Sequence, residues 1–103
     1  MSIELRVPRF NGIDGETERS YMDLVRKEYR DRIQQAARPQ LAEISRIVEA
    51  DTENPDAAEG NIWRIVQEIA QRAGLRAGYG SNSMGAVEFT AAFQIVKEMV
   101  EEK

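Results

Sequence analysis

A chain of 103 residues has room for one hydrophobic core and for no second domain. It contains neither cysteine nor histidine, which removes disulfides, thiolate nucleophiles, the usual metal ligands and the commonest general base. The formal charge is -4, and a net acidic chain is a poor generic partner for nucleic acid, which needs a concentrated basic face.

Residues 1–15, "MSIELRVPRFNGIDG", alternate apolar and polar, with Ile3, Leu5 and Val7 on one side and Glu4 and Arg6 on the other. A period of two predicts a short half-buried strand or extended arm, stopped by Pro8 and the turn-prone "NGIDG". This opening has no apolar core of the kind a signal peptide requires, and no run in the chain nears the ~20 apolar residues of a membrane span. The expected setting is the cytoplasm.

From Glu16 the period changes. Met22, Val25, Tyr29, Ile33 and Ala36 fall within a stripe of about 80°, as an amphipathic helix requires. Pro39 lacks an amide donor, so it either kinks one long helix or opens a second. A break is favoured, with "PQLAEISRIVEA" as a second helix burying Leu41, Ile44 and Val48. Asn54-Pro55 spells an N-cap followed by a first helical proline, and opens a third helix to about Ala73. Its stripe is Ile62, Ile65, Val66, Ile69 and Ala73, with Trp63 on the flank as core edge, and Gly74 stands where a left-handed C-cap belongs. Leu75 to Gly85 read as a loop, and a fourth helix from about Ala86 to Glu102 buries Phe89, Ala92, Phe93, Val96 and Val100.

The stretch "QEIAQRAGL" resembles the opening of many bacterial repressor helix-turn-helix motifs, with Ala70, Gly74 and flanking apolar residues at the expected spacing. The second half departs from it. The two anchors that would hold a recognition helix fall on Gly80 and Ser83, and glycine inside a helix costs about 1 kcal/mol relative to alanine. A DNA-binding regulator using residues 66–83 is therefore the alternative reading, behind an ordinary helix end. "GYGSNSMG" lacks the Gly-Lys-Ser/Thr ending of a phosphate loop, and the acidic run from Glu49 to Glu59 lacks the glycine and glutamate of a calcium loop. "RKEYRDR" reads as a solvated face with internal pairing, and none of the 18 acidic residues forms a recognisable catalytic pair.

These readings give an all-α fold, a small four-helix bundle-like domain over 16–103 carrying the extended arm 1–15. A lone strand leaves its ladder groups unpaired, so the arm is expected to lie across its own helices, pair with a second subunit or join a foreign sheet. The expected function is a protein–protein interaction module: an adaptor, inhibitor or assembly component. It is expected to self-associate, preferably as a dimer, with no enzymatic activity, cofactor, metal or membrane contact. Candidate contact residues are Ile3, Leu5, Val7 and Phe10 on the arm, with Arg72, Arg76, Tyr79 and Asn82 around the glycine-rich loop. Arginine and tyrosine are included because they carry interface hot spots.

Overall fold

Four amphipathic stretches become four α-helices in the computed structural model, which describes residues 16–50, 55–78 and 83–102. Helix α1 runs Glu16–Ala37, α2 Leu41–Ala50, α3 Pro55–Arg72 and α4 Ser83–Glu101. The described residues contain no strand. The arm 1–15 lies outside them, and so do the expectations placed on Ile3, Leu5, Val7 and Phe10. No helix among the described residues is long and apolar enough to cross a membrane.

Pro39 does separate α1 from α2, by a single 3-10 turn over Arg38–Gln40 in which the Leu41 amide donates to the Arg38 carbonyl. Ala37 before the turn and Leu41 after it both keep right-handed helical angles. The chain therefore steps around the missing proline donor instead of reversing, and α2 continues beyond α1.

The core follows the predicted stripes with small rotations. Met22, Val25 and Ile33 of α1 are buried as expected, and Ala37 is fully enclosed where Ala36 was expected. On α2 the buried set is Leu41, Ile44 and Ile47, with Val48 at the margin; on α3 Ala70 is buried and Ile65 is marginal. Only residues at the edges of the stripes change places, while Val25, Ile33, Ile44, Val66 and Ile69 stay at their centres.

Helix α4 differs more. Its expected face is buried, but so is every residue from 85 to 93, together with Ile95, Val96 and Val100. It packs against α1, α3 and α2, and its first half, enclosed on every side over residues 85–93, forms the centre of the core. It also begins at Ser83, three residues before the predicted start, so buried Gly85 sits in its first turn. Tertiary packing there overrides a propensity penalty of about 1 kcal/mol.

Polar contacts between α1 and α4 advance together along both helices. Tyr21 meets Glu88, Arg26 meets Gln94 and Glu98, and Arg30 meets Glu98. The first and last helices are thus parallel neighbours, which needs the crossover that α2 and α3 supply. A simple up-down bundle would have paired consecutive helices antiparallel. The Cα radius of gyration, 13.0 Å, matches the roughly 13 Å of a compact chain of this length.

Candidate functional site: a carboxylate clasp at the α3–α4 junction

Gly74 begins the site. Helix α3 ends in a Schellman motif: the Leu75 amide donates to the Ala70 carbonyl at 3.0 Å and the Gly74 amide to the Gln71 carbonyl at 3.0 Å. Gly74 takes φ +96°, a left-handed angle that favours glycine. A Cβ added there would meet Arg32 Nη1 at 3.8 Å and Tyr29 Cε1 at 3.9 Å, ordinary contacts, so the backbone angle rather than space demands glycine. The predicted C-cap is borne out. It turns the chain so that Leu75 and Ala77 enter the core and Arg76 faces α4 and α1.

Arg76 meets a glutamate that composition alone did not single out. Glu88, on α4, is only 2 % exposed. One carboxylate oxygen accepts the Arg76 backbone amide at 2.6 Å. The other accepts the Tyr21 hydroxyl at 3.0 Å and Arg76 Nη2 at 3.3 Å. A buried carboxylate is costly unless its lone pairs are filled, and here three donors from two other segments fill them. A further bond, from the Gly78 amide to the Gly85 carbonyl at 3.2 Å, ties this segment to the first turn of α4.

The electrostatics are those of a fastening. Burial, then the hydrogen bond and charge of Glu88, push the Tyr21 hydroxyl above its ordinary value of 10.0. Contact with Tyr21, then the charge of Glu88, raises Arg76 as well. A tyrosine serving as a base or nucleophile near neutral pH needs the opposite shift. Tyr21 is held as a donor. Among the described residues no group of three acidic side chains is placed to hold a metal ion.

Of the sequence-selected residues, the structure brings Arg76 into the clasp, with its side chain 78 % exposed on the outer side. Arg72 stands apart, exposed at the end of α3 and 3.7 Å from Glu68 one turn earlier. Tyr79 and Asn82 lie outside the described residues. Tyr21 and Glu88 were missed. The signal for Glu88 was readable as the lone acid in the apolar run "GAVEFTAAF"; for Tyr21 there was none, since its partner is 67 residues away.

No family model, curated protein or solved structure matches this chain. Of the helix-turn-helix stretch the structure describes the first helix and its glycine end at Gly74, while residues 79–82 lie outside the described residues. Arg26 and Arg30, read as a solvated face paired within its own helix, instead clasp Glu98 of α4 at 2.6 and 3.7 Å. Gln94 completes that seam, accepting from Arg26 at 3.1 Å and donating to Met22 Sδ at 3.4 Å.

Proposed function

We propose that this protein is a small protein–protein interaction module, working in the cytoplasm as an adaptor, inhibitor or assembly component. It self-associates, as a dimer, through its N-terminal arm or a helix face. The observation that carries the reading is the Glu88 clasp. The chain spends its buried carboxylate on fastening a backbone segment and its tyrosine as a donor, and it turns the Arg76 side chain outward from a fixed base. A pre-organised arginine loses less freedom on meeting a partner than a free one, which favours a contact surface. The absence of cysteine agrees with a reducing compartment.

The test is the solution mass by light scattering of the full chain and of a chain lacking residues 1–12. A dimeric full chain with a folded monomeric truncation assigns the contact to the arm. A truncation that remains dimeric assigns it to a helix face. A full chain that stays monomeric at the highest attainable concentration overturns self-association.

A further inference from the structure

Helices α2 and α3 leave between them a cleft of about 420 Å³, open to solvent. Small-molecule sites run from roughly 300 to 1,000 Å³ and combine apolar surface with a few placed polar groups. Here Ile47, buried, and Ile65, half-buried, supply the apolar surface.

The two helices bring different polar groups. From α2 comes a pair that is already matched: Glu43 takes Arg46 Nε at 3.0 Å and Nη2 at 2.5 Å. From α3 come donors that are not. Asn61 and Arg64 stand three residues apart, so they neighbour one another along the helix, and both are exposed. Arg64 has no carboxylate partner among the described residues. Glu68, one turn beyond it, lies 3.7 Å from Arg72 instead. The cleft thus sets two guanidinium groups against one carboxylate, in a chain whose net charge is -4.

We propose that this cleft binds a small amphipathic anion, its carboxylate or phosphate head on Arg64 and Asn61 and its hydrocarbon body over Ile47 and Ile65. The planar fork of an arginine suits either head, because two parallel N–H groups meet two oxygens. Arg46 already gives two of its donors to Glu43, which makes the α3 wall the place for the head. The body then crosses towards α2 and takes solvent off both isoleucines. The site is complete within one chain, so it stands apart from the self-association proposed above.

The experiment follows the backbone amide and arginine Nε signals of the isotope-labelled full chain by NMR in low salt. Four probes separate the parts of the ligand: inorganic phosphate for the head, 1-hexanol for the body, and hexyl phosphate and hexanoate for both together. At least one of the two amphipathic anions should shift the cleft signals of α2 and α3 saturably, with a Kd of about 1 mM or below, as an open site and a small ligand allow. Inorganic phosphate and hexanol should each bind about fivefold more weakly or worse. Hexyl phosphate against hexanoate tells which head the site takes. Arg64→Gln should weaken binding about fivefold or more, while Arg72→Gln, on the same helix outside the cleft, should leave it unchanged. Both sites are exposed, and unaltered signals elsewhere check that each variant is folded. No saturable shift with either amphipathic anion up to about 10 mM overturns the proposal. Equal weakening by the two variants overturns it too, since the anion then reads net charge alone. Inorganic phosphate binding as tightly as hexyl phosphate means an adventitious ion only, and also overturns it.

Discussion

Removing the Glu88 carboxylate should unfasten the segment after α3 and destabilise the whole domain. In Glu88→Ala the Arg76 amide and the Tyr21 hydroxyl both lose their acceptor. Hydrogen bonds to a charged group contribute about 1.5–3 kcal/mol each, and relief of the buried carboxylate's desolvation offsets part of the sum. The Arg76 side chain adds little, since at 78 % exposure its pairing is screened by water. A net loss of about 3 kcal/mol follows, a large share of the roughly 5–15 kcal/mol that holds a domain of this size. Glu88→Gln keeps one carbonyl oxygen for the Arg76 amide and should lose about half as much. The assay is urea unfolding followed by far-UV circular dichroism, with a thermal melt expected to fall by about 12–20 °C for the alanine variant. A double-mutant cycle with Tyr21→Phe isolates the hydroxyl bond and should give a coupling of about 1 kcal/mol. Alanine and glutamine variants as stable as the parent, with no coupling to Tyr21, would sink the clasp as a structural element.

Other substitutions probe separate parts of the fold. Gly74→Ala places a side chain at φ +96° and should cost about 1–2 kcal/mol in the same urea assay, although its Cβ has room. Phe89→Ala, which empties the centre of α4 beside Trp63 and Phe93, should cost about 3–5 kcal/mol, and a loss below 1 would contradict its burial. Arg26→Ala breaks the half-exposed seam with Glu98 and should cost less than about 1 kcal/mol, diminishing in high salt. Tyr21 has a raised folded pKa, so its stabilising contribution is fully present below the ordinary value of 10.0 and is lost as pH rises through the folded value. Urea midpoints measured upward from about pH 9 should fall more steeply for the parent than for Tyr21→Phe; parallel curves would refute the linkage.

Helix identity was legible because α1, α2 and α3 each keep a polar face, so periodicity marks the buried side. The Gly74 cap was legible for a different reason: a left-handed helix end has a one-residue requirement that local sequence spells. What stayed hidden was non-local. Ala37 and Ile47 replace Ala36 and Val48 in the enclosed positions because of neighbours that the periodicity of a single helix does not encode. The early start of α4 is invisible for the same cause, since glycine at 85 argues locally for a loop and only its burial argues for a helix. The clasp joins Tyr21, Arg76 and Glu88 from three segments, and no spacing rule connects them.

The parallel pairing of α1 with α4 has a consequence for how the chain acquires its structure. The main packing partner of the first helix is the last one, and their polar seam joins residues 67 to 72 positions apart. A helical protein whose contacts were local would fold fast and piecewise. Here α1 is synthesised before α4, and its Met22, Val25 and Ile33 wait for their main packing partner until residues 83–101 have followed. Nascent chains that stop short of residue 83 leave the apolar stripe of α1 without its main partner, a state prone to aggregation.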